Sequence, residues 1–319
     1  MILKDSSSAV KLVCFEARGA TYALPLSTVR AIQRVESFLL APAADGSIGS
    51  AAFTGGPIPV FGLRFLEDIP SGLTAGVRYV IVFRDPVSPW GLLVDRIVGR
   101  LSATSDALFP LPQAIGKAGG FFSRVAVLEE RILLVLAPES LRNASTSEAE
   151  GAEGDELETP LPSGPKKSIS PPRRQRGQLV VFRTGIPPEG EPSYSFGLSI
   201  TQVAEILRPS VSAPIPGARR GVLGLLPWRG RPLALLDLNE KLGLTRSRPV
   251  AEGRFLVVKS RRWNEYVAWA VESDVRLLSL PMATWPAAAP APIDAGLVLG
   301  QFELPGETIV IPALDSLLG

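Results

Sequence analysis

The sequence predicts an all-β protein of two tandem domains that are joined by a disordered linker. Three observations lead to this prediction. The apolar runs are short, are rich in Val, Ile, Leu and Phe, and are separated by Gly, Pro, Asn or Asp, a pattern that indicates strands and turns. A polar stretch of low complexity divides the chain, and the segments on its two sides match each other in the same order.

The matching segments indicate an internal duplication of one domain, with one copy in residues 1–138 and the other in residues 178–319. In chain order, the pairs are KLVCFEARG with QLVVFRTG, YALPLSTVRAIQR with FGLSITQVAEILR, GGPIPVFGLRFL with RGRPLALLDLNEKL, RYVIVFR with RFLVVKS, and RILLVLA with ETIVIPA. Because no long helical crossover separates these strands, each block is expected to form small closed or partly closed barrels, with enough strands for two.

Only short helices are predicted within this strand pattern. Residues 237–242 open with Asp237, which suits an N-cap position, and are followed by Gly243. Residues 315–318 are the other candidate, so helices are expected to contribute little to either domain.

Residues 139–177 are predicted to be the disordered linker, because Pro, Gly, Ser and Glu replace the apolar runs there. From residue 148 onward, a group of acidic residues precedes a group of basic ones: Glu148, Glu150, Glu153, Asp155, Glu156 and Glu158, then Lys166, Lys167, Arg173, Arg174 and Arg176. We interpret the segment as a solvated tether. An alternative is that its basic part contacts a membrane surface or an acidic partner.

The composition excludes many functions. The chain has no histidine and a single cysteine, Cys14, which excludes Ser-His-Asp and Cys-His nucleophiles, His-ligated metals, phosphohistidine and internal disulfides. No signal-peptide pattern and no run of about 20 apolar residues is present, so we expect a cytoplasmic protein with no membrane insertion. A net charge of +2 argues against nucleic-acid binding, which needs a concentrated basic face.

In the second block, an ordered set of residues resembles the CheW family of bacterial chemotaxis adaptors. The set comprises Val203, Glu205, Ile206, Pro214, Pro216, Gly217, Gly221, Trp228, Arg229, Gly230, Asp237, Leu238 and Gly243. In the first block the best match is GLLVDRIV, residues 91–98. The resemblance covers the whole chain apart from the linker, and its specificity lies in the ordered set.

This resemblance implies that each domain consists of two intertwined, five-stranded SH3-like barrels. It implies a non-enzymatic signalling adaptor, without cofactors, that binds the cytoplasmic tip of a chemoreceptor and the regulatory domain of a CheA-type histidine kinase. Other CheW-like domains are a further class of partner. The protein would then be recruited to receptor arrays at the inner face of the membrane.

The expected partner-binding residues lie in the second block: Val203, Glu205, Ile206, Trp228, Arg229, Gly230, Val271 and Val275. Receptor helices are expected in a hydrophobic groove between the barrels. The resemblance implies that Glu205 and Arg229 meet as an ion pair near this surface; the alternatives are an ordinary surface salt bridge or no contact. Trp269 alternates with Val267 and Val271, which favours a place in the core over a role as an anchor.

The first block departs from this pattern. Ala31 stands where the second block has Glu205, and Thr54 or Gly55 occupies the position of Arg229. Gly62 replaces Asp237, and the paired prolines are reduced to Pro42. We interpret the first block as a folded, divergent domain with altered partner choice. An alternative is that it has drifted under loose selection.

Two other functions are considered. A nucleic-acid-binding pair of small β-barrels would use Trp228 with Arg219, Arg220, Arg229 and Arg231, but the balanced charge supplies no basic stripe. An enzyme would use carboxylates such as Asp95, Glu129 and Glu130, which are explained more simply as solvated turn residues.

Overall fold

The structure is a computed structural model in which the two blocks form regular elements. It describes residues 9–63, 72–85, 88–115, 120–129, 131–143, 176–185, 189, 193–210, 212–245, 253–260, 264–281, 290 and 292–317. Residues 144–175 of the predicted linker lie outside the described residues, so their disorder stays a prediction. Regular structure enters the predicted linker at both ends, because helix α1 spans Pro138–Asn143 and strand β12 spans Arg176–Phe182.

The first half of the chain folds into two sheets. Its strands are β1 (Val10–Ala17), β2 (Ala20–Pro25), β3 (Val29–Leu40), β4 (Gly49–Phe53), β5 (Gly56–Phe61), β6 (Gly72–Phe83), β7 (Gly91–Val94), β8 (Arg96–Ala103), β9 (Leu108–Phe109), β10 (Phe122–Leu128) and β11 (Arg131–Leu136). One sheet has the order β8-β1-β2-β11-β10-β9 and the other β3-β6-β7-β5-β4. In the second sheet the end strands β3 and β4 lie beside each other, which curls that sheet toward a barrel.

The second half forms two further sheets. Its other strands are β13 (Ser195–Ser199), β14 (Val203–Leu207), β15 (Val222–Trp228), β16 (Arg231–Leu236), β17 (Arg254–Lys259), β18 (Tyr266–Val271), β19 (Arg276–Pro281), β20 (Val298–Leu304) and β21 (Glu307–Pro312). The sheet orders are β19-β12-β13-β21-β20 and β14-β17-β18-β16-β15. These four sheets confirm the all-β prediction; the one difference from five strands a sheet is the two-residue strand β9.

The short helices follow the sequence signals closely. Helix α2 spans Leu238–Lys241, and the side chain of Asp237 caps it by accepting a hydrogen bond from the backbone N–H of Glu240. Helix α3 spans Leu314–Leu317, one residue earlier than predicted. No helix in the described ranges is long and apolar enough to cross a membrane.

The chain divides into two compact units that do not coincide with the two blocks. One unit comprises residues 1–147 and 210–236, and the other comprises residues 148–209 and 237–319. The hairpin of β15 and β16 therefore belongs to the first unit, although its sequence lies in the second block. The predicted domain boundaries at 138 and 178 remain a description of the sequence repeat.

Equivalent hydrogen bonds in the two halves support the duplication. The backbone N–H of Asp95 donates to the carbonyl of Glu16 at 2.9 Å, and that of Glu272 donates to Arg183 at 2.8 Å. The segments RYVIVFR and RFLVVKS, however, align with an offset of one residue, because Tyr79 pairs with Val94 whereas Arg254 pairs with Val271. Strand pairing sets this register, which similarity of composition does not reveal.

Buried apolar side chains occupy both faces of the central strands. In the first half one cluster fills the inside of the second sheet, including Val80 and Val82, each fully buried. On the other face of β6, Ile81 is also fully buried, and β6 lies near β8 of the first sheet. In the second half Trp269 is 1% exposed and its ring centre lies 6.0 Å from that of Phe182, which confirms its place in the core.

Candidate functional site

Strand β14 carries three of the predicted partner-binding residues at an edge of its sheet. It pairs with β17, and a β-bulge separates Val203 from Glu205 in the register. Val203 and Glu205 are half-buried, whereas Ile206 is 47% exposed. An apolar side chain exposed to this extent on a strand is available for contact with a partner.

The hairpin of β15 and β16 carries the next three predicted residues in its turn. Trp228 pairs with Arg231, so Arg229 and Gly230 form a two-residue loop. Both have positive φ, 49° for Arg229 and 74° for Gly230, as a type I′ turn requires. Glycine adopts this conformation freely, but an arginine there is uncommon. The turn therefore holds an exposed arginine in a backbone conformation that is strained for it.

The guanidinium of Arg229 is oriented by its neighbour. Its Cζ lies 4.9 Å from the centre of the Trp228 ring, within the range of a cation–π contact. Trp228 is half-buried and Arg229 is exposed. The pair thus presents a charged and an aromatic side chain together at the hairpin tip, a combination common in binding hot spots.

The remaining predicted residues differ in accessibility. Val271, the last residue of β18, is 4% exposed, so its side chain belongs to the interior and not to the surface. Val275 is half-buried in the loop before β19. Glu205 lies in one compact unit and Arg229 in the other, and their ion pair stays a prediction.

A polar cluster fixes the strand that follows Val275. The carboxylate of Glu307 pairs with the guanidinium of Arg276 and accepts a hydrogen bond from the hydroxyl of Ser195. Burial raises the pKa of Glu307, but the bonds from Ser195 and Arg276 outweigh that effect and lower its pKa overall. Arg183, the residue after β12, donates to the same hydroxyl at 3.3 Å, so four side chains join the end of β12 to β13, β19 and β21.

The first half has a different arrangement at the corresponding place. Phe53 pairs with Gly56 across the turn and so takes the position of Trp228. The cation near this ring is Arg30 of β3, whose Cζ lies 5.2 Å from the ring centre. The sequence analysis missed Arg30; the available signal was VRAIQR opposite VAEILR, in which Arg30 aligns with Ala204.

Two of the three carboxylates that were considered for catalysis lie in the described part of the chain, and neither is placed in a catalytic group. Asp95 accepts hydrogen bonds from Arg78 Nη1 and from the backbone N–H of Arg18, both at 2.6 Å. Glu129 is exposed in the turn after β10, and Glu130 lies outside the described residues. Within the described ranges no three His, Cys, Asp or Glu side chains gather into a group that could hold a metal ion.

Comparisons with known proteins identify the family to which the chain belongs. The family model described as "CheW-like domain" matches residues 11–145 and 188–319. Among solved structures, the chain is similar to the scaffolding protein TtCheW from Thermoanaerobacter tengcongensis, with 21% identity over 45% of this chain and 92% of that one and a TM-score of 0.38. No curated protein matches it. Since the family model matches both halves, the chain belongs to the CheW-like family and contains two tandem CheW-like domains.

Proposed function

We propose that this protein is a non-enzymatic scaffold adaptor that couples chemoreceptors to a CheA-type histidine kinase. The observation that carries the proposal is the match of both halves to the CheW-like domain, a family of scaffolds and not of enzymes. We further propose that it acts in the cytoplasm, at receptor arrays on the inner face of the membrane.

In this proposal the second half supplies the main partner-binding residues. Ile206 offers exposed apolar area on β14, and Val203 and Glu205 flank it. Trp228, Arg229 and Gly230 form a hairpin tip with an oriented charge, and Val275 lies beside the anchored Arg276. Apolar area supplies affinity, whereas charges fix register and exclude wrong partners.

The test measures binding of the full chain to a chemoreceptor cytoplasmic fragment and to the CheA-type kinase. Ile206→Asp should abolish binding to at least one of them, because a charge replaces exposed apolar contact area. Leu299→Asp is the matched control, since Leu299 is 52% exposed on β20 of the other sheet. Absence of binding by the unaltered chain, or equal loss in both variants, would contradict the proposal.

A further inference from the structure

The first half carries an exposed basic face that the proposed function does not use. On β3, Arg30, Ile32 and Arg34 are exposed, Ile32 to 38%, and Arg30 lies in a β-bulge between Val29 and Ala31 in the pairing with β6. Arg84 follows β6, and its Nε donates to the carbonyl of Val29 at 3.0 Å. This bond holds a third guanidinium at the start of β3. We call these four residues the basic face.

Two of the three guanidinium groups are held before any partner arrives. Arg30 lies over the Phe53 ring and Arg84 is bound to the backbone of β3. A guanidinium stacked on a ring keeps its in-plane N–H groups free for a carboxylate. Fixing the side chains in advance reduces the entropy that binding would cost.

Ion pairs with carboxylates engage some of the described arginines and leave others without one. Arg78, Arg96 and Arg276 each form an ion pair with a carboxylate. In the part of the chain that the structure describes, Arg30, Arg34 and Arg84 form none. The basic face therefore has three guanidinium groups without an ion pair in the described part of the chain, and the carboxylate of Glu36 is the next exposed charge along β3.

The equivalent strand of the second half carries less positive charge than β3 of the first half. Ile206 and Arg208 keep the apolar and basic positions of Ile32 and Arg34. Where the first half has Arg30 and Ala31, however, the second has Ala204 and Glu205. The same strand thus carries a carboxylate in one domain and an additional guanidinium in the other.

We propose that the basic face docks an acidic amphipathic segment of a partner protein. Carboxylates of that segment bind Arg30, Arg84 and Arg34, and an apolar side chain between them covers Ile32. A peptide fits better than a nucleic acid or a lipid surface, because an exposed isoleucine interrupts the row of charges and the chain carries a net charge of only +2. The proposal concerns the first domain and goes beyond the coupling function proposed above.

The test uses the full chain and a fluorescent synthetic peptide of Glu and Leu patterned as an amphipathic helix. A peptide with Lys in place of Glu, an oligothymidylate and vesicles containing phosphatidylglycerol are the comparison probes. The Arg30→Glu, Arg84→Glu double variant should weaken binding of the acidic peptide at least about tenfold, since two charge-assisted hydrogen-bonding groups are reversed. Arg208→Glu, the same change at the second domain's counterpart of Arg34, should change the affinity less than about twofold.

Three outcomes would overturn the proposal. They are unchanged peptide affinity in the double variant, an equal loss in Arg208→Glu, and loss of oligothymidylate or vesicle binding in place of peptide binding. If the double variant fails to fold, Arg30→Gln with Arg84→Gln serves instead, and the same tenfold criterion of about 1.4 kcal/mol applies. Receptor and kinase binding by the double variant is measured in parallel, which separates this proposal from the function of the second domain.

Discussion

Arg229 combines a strained backbone with an oriented side chain. A non-glycine residue in the left-handed region costs of the order of 1 kcal/mol or more, and the φ of Arg229 is 49°. Asparagine or glycine would fit the turn with less strain. We therefore expect the side chain of Arg229 to serve recognition and not stability.

The pair of Glu205 and Arg229 that the resemblance implies can be tested by reversing its charges. Glu205→Arg should weaken partner binding while the free energy of unfolding changes by less than about 1 kcal/mol, because a partly exposed pair contributes little to stability. Adding Arg229→Glu should restore part of the binding. Equilibrium binding and denaturant unfolding of the two single variants and the double variant check this. A double variant no better than the sum of the single changes would show that the two residues are not coupled.

A second prediction concerns Glu307 and the pH dependence of the free energy of unfolding. Its pKa is lowered in the folded protein, so the unfolded chain binds its proton at a higher pH than the folded one. The stabilisation by Glu307 is therefore complete above the pKa of the unfolded chain and is lost as the pH falls through the folded pKa.

Glu307→Gln should consequently lower the free energy of unfolding by about 1 kcal/mol at neutral pH. The difference from the unaltered chain should shrink as the pH falls below about 4. Denaturant unfolding across this pH range measures it, with the exposed Glu303→Gln as control. A difference independent of pH would mean that the loss comes from packing and not from the charge.

The strands of the two halves follow the same order, but the halves differ at the residue where β7 packs closely against β6. Gly91 begins β7, and a Cβ at this position would lie 2.5 Å from Val80 Cγ1. Val80 is fully buried and β-branched, so it has little freedom to move away. The second half has Ala268 at the equivalent position.

Gly91→Ala should therefore destabilise the protein by about 1–3 kcal/mol through overpacking. Gly296→Ala is the control, since its nearest neighbour would be Asp294 Oδ1 at 3.4 Å, an ordinary contact. Urea unfolding of both variants makes the comparison. Equal stability of the two variants would show that the first domain absorbs the extra methyl group.

The sequence was sufficient to predict the strands and helices, but it was insufficient to predict the register in which the strands pair. Short apolar runs and their repetition predicted the strands, and Asp237 marked the start of α2, because these signals are local. The burial of Val271 could not be predicted, since alternation assigns a face but does not tell which faces another sheet covers. The role of Arg30 was hidden for a similar reason, because Phe53 is distant from it in the sequence.

At the scale of the whole molecule, the two domains present different charges to their surroundings. Arg30 and Arg84 form no ion pair with a carboxylate in the described part of the first domain. The second domain has Glu205 on the equivalent strand. We expect the two domains to bind different partners. If both partners belong to one assembly, a linker makes the second contact intramolecular and raises its effective concentration up to about millimolar.

This leads to a prediction for the linker, taken as residues 139–177. Because α1 and β12 occupy its two ends, the part between them, residues 144–175, would as a flexible coil have an r.m.s. span of roughly 30 Å, against less than about 20 Å for a linker of about ten residues. Shortening it to that length should lower the occupancy of the protein on clustered receptor arrays without changing its affinity for a single receptor fragment. Sedimentation with arrays measures occupancy, and an unchanged value would show that the first domain adds no avidity.

The close approach at Gly91 also bears on synthesis of the protein on the ribosome. Tandem copies of one fold can exchange strands while the nascent chain is incomplete, and such hybrids are kinetic traps. If β18 took the place of β7, Ala268 would bring its Cβ to within about 2.5 Å of Val80 Cγ1, the distance found for Gly91. Gly91 would thus disfavour insertion of β18 into the first domain in place of β7, which closes one route to misassembly of the duplicated chain during its synthesis.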